Sequence, residues 1–237
     1  MNEQMFETEL IQYITTGTVT NPECLAGIPE FSATGLGNKV VKTKLWKYEP
    51  DIKTTPQLWN NFKTILEQHN QNVLEHPMSE AEFNQVKKII SDLHTPYEAG
   101  QFLYGLNGVS QIEIDLDDGR HVFLTVFDQK EIGAGDTVYQ VVNQIERPAV
   151  INGKMNRRFD TTLLINGLPI IQIEEKRDTH DVNEALNQMH QYIDEGQYGD
   201  IFSVLQILIA MTPNNVKYMA NTCLLYTSPS PRDGLLS

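Results

Sequence analysis

The sequence predicts an α/β domain in which a mostly helical N-terminal part precedes a mixed central sheet, with one more helix lying on that sheet. Apolar residues recur at helical spacing through the first hundred or so positions, whereas from about residue 110 they alternate in short runs divided by turn residues. Between 181 and 194 the helical period returns once, with strand patterns on both sides, as expected of a helix packed on a sheet. No internal repeat is visible.

The first element is a short amphipathic helix over 6–14, where Phe6, Leu10, Ile11, Tyr13 and Ile14 are apolar. Residues 20–52 are punctuated by Gly and Pro and read as irregular. Helical spacing resumes from Thr55 to about Leu74 through Leu58, Phe62, Ile65 and Leu66, and Ser79 with Glu82 makes a capping box ahead of Phe83, Val86, Ile89, Ile90 and Leu93. Ser110 to Leu116 and His121 to Phe127 alternate around Asp117-Asp118-Gly119, a hairpin pattern. Thr137 to Ile145 adds a strand, and Thr161 to Ile165 and Pro169 to Glu174 add two more. A helix from about Asp181 to Asp194 then places Val182, Ala185, Leu186, Met189 and Ile193 on one face, and Val204 to Met211 closes the domain as a buried strand.

Composition narrows the function classes. The 237 residues, 40% of them hydrophobic, suffice for one large domain or two small ones with a buried core. The first ten residues carry no basic n-region, and the longest apolar stretch, Phe202 to Met211, is short and interrupted by Gln206. Neither a signal peptide nor a membrane span is therefore expected. Cys24 and Cys223 offer no disulfide framework and no paired metal motif, which fits a reducing cytoplasm. A formal net charge of -13 opposes binding that coats nucleic acid through bulk electrostatics, so any DNA contact must be local or lent by a partner. The histidines lack zinc-protease or deaminase spacing. Asp115, Asp117 and Asp118 do not make a calcium loop, since Gly119 comes too early and no glutamate closes the pattern.

The chemistry concentrates in Arg158-Phe159-Asp160 and Glu174-Glu175-Lys176. If Asn166-Gly167-Leu168 forms a three-residue loop, Ile165 faces Pro169 and Asp160 falls opposite Glu174. A two-residue Asn-Gly turn would slip the register and part the carboxylates onto opposite faces. Residues two apart on a strand point the same way, so Lys176 joins Glu174 while Glu175 points to the other side. Two carboxylates converging beside a lysine form a site for a hard cation such as Mg²⁺, held by Asp160 and Glu174, with the Glu175 carbonyl a further donor. Such an ion would polarise a phosphodiester and activate water, while Lys176 positions that water.

Residues 158–176, Arg-Phe-Asp-Thr-Thr-Leu-Leu-Ile-Asn-Gly-Leu-Pro-Ile-Ile-Gln-Ile-Glu-Glu-Lys, followed by Gln188 and Tyr192, resemble the PD-(D/E)xK nuclease core of type I restriction endonuclease R subunits. The likeness extends to Glu7-Thr8-Glu9-Leu10-Ile11-Gln12, Val141-Val142-Asn143-Gln144 and Tyr218 to Thr222, so residues 1–222 are expected to be the N-terminal nuclease domain. The resemblance implies a restriction-endonuclease-like fold, Asp160, Glu174 and Lys176 as catalytic residues, and Gln188 with Tyr192 as an accessory nuclease motif. By spacing alone Tyr192 could equally be a core aromatic. Glu175 departs from the family, in which the residue inside E-x-K is usually apolar. Glu9 could reach the metal from its helix or simply face solvent, and Lys154, Arg157 and Arg158 could contact phosphates or form a plain basic loop.

No Walker-type loop occurs, so ATP binding of that kind is not encoded here. The resemblance implies an ATP-dependent translocase beyond residue 222 and partner subunits for methylation and specificity, acting on double-stranded DNA. A stand-alone repair nuclease, or a catalytically silent docking domain, would share the pattern without that machinery. Residues Cys223 to Asp233 reproduce the translation of a transposon-end sequencing adapter, so residues 223–237 are expected to be foreign to the natural protein.

Overall fold

The computed structural model describes residues 2–17, 46–132 and 135–224; most of the segment expected to be irregular, 18–45, and most of the expected foreign tail, 225–237, lie outside them. Helix α1 (Glu3–Thr16) starts where the Asn2 side chain accepts the Met5 N–H at 2.7 Å. It stops at Gly17, whose φ of 71° lets its N–H reach the Tyr13 carbonyl. The three-residue strand β1 (Trp46–Tyr48) follows. In α2 (Thr55–His69) the Gln57 side chain reaches back to the N–H groups of Lys53 and Thr54, and Leu58, Trp59, Phe62, Ile65 and Leu66 form the buried stripe.

Helix α3 (Glu80–Ser91) opens with the expected capping box. The Ser79 hydroxyl accepts the Glu82 N–H at 3.2 Å and a Glu82 oxygen accepts the Ser79 N–H at 2.7 Å. The other Glu82 oxygen takes the Asp117 N–H at 2.8 Å, so one buried carboxylate ties this helix to the tip of a neighbouring hairpin. Helix α4 (Pro96–Tyr104) was not anticipated, although Thr95-Pro96-Tyr97-Glu98 carries its signal: a Thr cap, Pro in the first turn and Glu at the third position.

Strands β2 (Val109–Asp115) and β3 (His121–Asp128) form the expected hairpin, but as a separate two-stranded sheet rather than part of the central one. Its apolar face, Ile112, Ile114, Leu124 and Val126, belongs to the same core as Phe83, Val86 and Ile90 of α3. The central sheet runs β1, β4 (Tyr139–Arg147), β5 (Arg157–Ile165), β6 (Leu168–Glu175), β7 (Ile207–Thr212), β8 (Asn215–Ala220). Strands β4, β5 and β6 form an antiparallel meander, and β7 lies parallel to β6. That parallel pair requires a crossover, supplied by α5 (Val182–Asp194) and a 3₁₀ turn at Asp200–Val204. The closing strand expected over 204–211 is thus corrected: Val204 ends the 3₁₀ turn, the strand begins at Ile207, and β8 folds back beyond it. Strand β8 is an edge exposed on both faces, which erases the alternation that would reveal it. A large core lies where α2, α3 and the hairpin meet the sheet, and a smaller one sits under α1, where Leu10 and Ile11 meet Val141, Leu163 and Ile173. No helix among the described residues is long and apolar enough to cross a membrane.

The β5–β6 connection corrects one expectation and preserves its consequence. Ile165 pairs with Leu168 and Leu164 with Pro169, so the turn is the two residues Asn166-Gly167 and not a three-residue loop. Both have positive φ, 49° and 80°, the geometry of a primed hairpin turn. The Asn166 side chain is fully engaged, donating to the Val126 carbonyl at 2.9 Å and accepting the Val138 N–H at 2.9 Å. A β-bulge then shifts the ladder between Leu164/Pro169 and Leu163/Ile171, leaving Ile170 as the extra residue. From Leu163 onward the pairing is the one the longer loop would have given, with Thr161 facing Ile173. Gly167 also lies close under α2, where an added Cβ would stand 2.8 Å from the Phe62 Cα. Gly167→Ala is therefore expected to lower the unfolding free energy by about 1–3 kcal/mol, measured by denaturant titration.

Candidate active site

Continuing the β5–β6 register by one step sets Asp160 opposite Glu174 at the end of the ladder, with Lys176 just beyond it. The chain stays in place there because the Lys176 N–H bonds the Met211 carbonyl of β7 at 2.9 Å. The structure brings the three side chains together. One Asp160 oxygen accepts the Glu175 N–H at 2.9 Å, and the Lys176 ammonium donates to Glu174 Oε1 at 3.2 Å and to the Glu175 carbonyl at 3.0 Å.

Gln188 and Tyr192 join the same cluster from α5. Tyr192 is buried against Phe159, with ring centroids 5.0 Å apart, and its hydroxyl donates to Glu174 Oε1 at 3.4 Å. The Gln188 amide donates to that hydroxyl in turn. Tyr192 is thus both a core aromatic and a neighbour of the carboxylate. The two alternatives left open by spacing hold together, because a tyrosine buries its ring and offers its tip.

The electrostatics are lopsided toward anions. Glu174 and Glu175 have no exposed surface and Asp160 has 9%. Glu174 Oε2 and both Glu175 oxygens lack a hydrogen-bond partner among the described residues. Burial pushes the Glu174 carboxyl well up, Asp160 pushes it further, and Lys176 opposes them. Burial likewise raises Asp160, against the pull of the Glu175 N–H and Lys176. Burial and then Asp160 drive Glu175 well above the usual carboxylate range. Burial alone would lower the Lys176 ammonium, but Glu174, Asp160 and Glu3 outweigh it and hold the group above its ordinary value. Three buried carboxyls against one lysine leave a deficit of positive charge, and an orphaned oxygen on Glu174 is a vacant donor for a cation. The donor set fits a hard divalent ion. It is a pair of carboxylates and not a larger cage, since no group of three or more His, Cys, Asp or Glu able to hold a metal occurs among the described residues.

A cavity of about 610 Å³ opens beside Asp160, bounded by Glu3, Glu7, Gln144, Arg158, Asp160 and Glu175 among others. The helix-borne acids here are Glu3 and Glu7; Glu9 does not line it. The sequence held a clue, since Glu7 is one turn before Leu10 and Ile11 and so shares their buried stripe. Glu7 Oε1 accepts from Asn143 at 3.1 Å and from Gln144 at 2.7 Å. Gln144, in mid-strand, has a φ of 57°, and the ladder between β4 and β5 skips the pair it would make with Asp160. That kink at the cavity wall left no mark in the sequence. Of the candidate basic residues, Arg157 turns away into a bidentate pair with Glu195 at 2.6 and 2.7 Å, and Arg158 faces the cavity.

A mixed sheet carrying an Asp on one strand and a Glu-x-Lys on its antiparallel neighbour, backed by a crossover helix, is a restriction-endonuclease-like fold. Residues 33–223 match the family model of the type I restriction enzyme R protein N terminus, and the chain belongs to that family. It is 31% identical over 171 residues to the type I restriction enzyme SauMSSORF170P endonuclease subunit of Staphylococcus aureus (strain MSSA476), an overlap covering 72% of this chain and 17% of the relative. The SsaAORF53P endonuclease subunit of Staphylococcus saprophyticus is 29% identical over the same share of both chains. The EcoprrI endonuclease subunit of Escherichia coli is 35% identical over 108 residues, 45% of this chain and 33% of the relative. The chain therefore spans about a sixth of the length of its staphylococcal relatives.

Glu175 gives a pH test of the buried charge. Its folded-state pKa lies above the ordinary 4.5, so the folded and unfolded chains hold the proton alike below that value. As pH rises past it the unfolded chain ionises first, and the folded state loses stability. Glu175→Gln is expected to raise the melting temperature by several degrees at about pH 8 in chelator, and to leave it unchanged at about pH 4.

Proposed function

We propose that this domain is the Mg²⁺-dependent DNA-cleaving centre of a type I restriction enzyme R subunit, acting on double-stranded DNA within the complete complex. The cluster of Asp160, Glu174 and Lys176 carries this reading: two carboxyls facing each other at the end of the β5–β6 ladder, one with an oxygen unpartnered in the interior, beside a lysine. Asp160 and Glu174 would hold Mg²⁺, with the Glu175 carbonyl a further donor. When bound, the ion would polarise the scissile phosphate and lower the pKa of its water.

The chain's own residues supply the rest. Lys176, which donates to Glu174 and to the Glu175 carbonyl, would orient the attacking water and offset charge developing on the phosphate. Tyr192, clamped by Phe159 and Gln188, holds one Glu174 oxygen in place and leaves the other open for the ion. The remainder of the protein would provide the ATP-driven translocase, and methyltransferase and specificity subunits would choose the DNA site, all in the cytoplasm. Residues 223–237 are taken as foreign; the family match ends at 223, where the adapter-like segment begins.

In the complete enzyme, Asp160→Ala and Glu174→Ala are expected to abolish DNA cleavage while ATP hydrolysis continues, since each removes one of the few anionic ligands of the ion. Lys176→Ala should leave slow nicking, reduced by about a hundredfold or more. Tyr192→Phe keeps the ring packing and removes the hydroxyl, so about a tenfold loss of cleavage is expected with the melting temperature lowered by only a few degrees. Joint loss of ATP hydrolysis and subunit assembly in the carboxylate variants would replace this reading with that of a docking domain.

A further inference from the structure

We infer that Arg158 is the phosphate-gripping residue of this site, and that Arg157 beside it is a strut. The inference rests on the nuclease reading above. DNA approaching Asp160 meets a strongly acidic protein and, locally, the carboxyls of Glu3, Glu7, Asp160 and Glu175 around one cavity. Electrostatics therefore demand a cation at the cavity wall that no protein anion already answers.

The nearby cations can be sorted by that criterion. Lys176 is engaged by Glu174, with Glu3 3.9 Å away. Arg157 is locked to Glu195, itself buried, and the contact holds that carboxyl below its usual range. Lys154 does not line the cavity, and Lys53, also outside its lining, donates to the Asn143 carbonyl and side chain. Arg158 remains. It is exposed, lines the cavity as the sole cation among its described lining residues, and makes no ion pair with any described residue. Glu146 is its ladder partner across β4, yet the two side chains form no salt bridge.

Position strengthens the assignment. Arg158 is two residues from Asp160 on β5 and borders the same cavity, so a phosphate held by its planar, forked donors would lie beside Asp160. Its neighbour points the other way along the strand, which is why two adjacent arginines divide the labour. Arg157 joins the start of β5 to the residue just after α5, the helix that carries Gln188 and Tyr192.

The test uses the full-length subunit in its complex, following DNA cleavage, ATP hydrolysis and melting temperature together. Arg158→Ala is expected to slow cleavage by about ten- to hundredfold, the loss of one charge-assisted contact, with ATP hydrolysis and melting temperature unchanged. Arg158→Lys should recover part of the rate, and the cleavage rate of Arg158→Ala should depend less steeply on salt than that of the parent. Arg157→Ala should instead lower the melting temperature. Wild-type cleavage by Arg158→Ala, or loss of cleavage only together with a lowered melting temperature, would overturn the inference. Should Asp160→Ala still cut DNA, the nuclease reading itself falls and this assignment with it.

Discussion

Burying anions without enough cations is the condition around which this domain is organised. A carboxylate moved from water into a protein interior is strongly destabilised unless it is protonated, hydrogen-bonded or paired. Here Asp160, Glu174 and Glu175 are packed where β5 and β6 meet, with Lys176 as their nearest ammonium. Such a cluster survives only because the surrounding fold leaves the side chains nowhere else to go. Phe159 and Tyr192 close one side, and the backbone of Glu174 and Glu175 is paired with β7. The resulting imbalance makes the site receptive to a positive ion.

The scaffold serves that cluster through devices that each cost some local regularity. A bulge at Ile170 resets the ladder, Gln144 takes up a left-handed conformation in mid-strand, and Arg147 is buried with its guanidinium against Phe202 and Phe159. Arg147 also donates to the carbonyls of Gln197 and Gly199, anchoring the chain that leaves α5. Together with the Arg157–Glu195 pair, this fixes the helix that presents Gln188 and Tyr192. Residues remote from the carboxyls thus set their geometry.

How far the sequence disclosed this depended on whether a residue's role was local. The capping box of α3, the amphipathic face of α5 and the alternation of the hairpin are local patterns, and they placed those elements within a few residues. Strands β1 and β8 escaped notice because one is three residues long and the other is exposed on both faces, leaving no periodic signal. The hairpin's separation from the central sheet and the placing of Glu7 and Glu3, instead of Glu9, beside the cavity are tertiary outcomes that spacing does not specify. The facing of Asp160 and Glu174 was reached from a loop that does not form. Asn166 and Gly167 adopted the tight turn their chemistry favours, and the bulge restored the offset.

That compensation has an evolutionary corollary. A tight turn with one bulged residue and a looser turn without a bulge place Asp160 and Glu174 identically and use the same thirteen intervening residues. A lineage could pass from one to the other by substitution alone, with no gap in an alignment to mark the change. A single-residue insertion or deletion within the paired strands is different, because unless a further bulge absorbs it, it turns every side chain beyond it to the other face. Drift in this hairpin is therefore free in the shape of its turn, and the inherited quantity is the offset of the ladder from Leu163 onward.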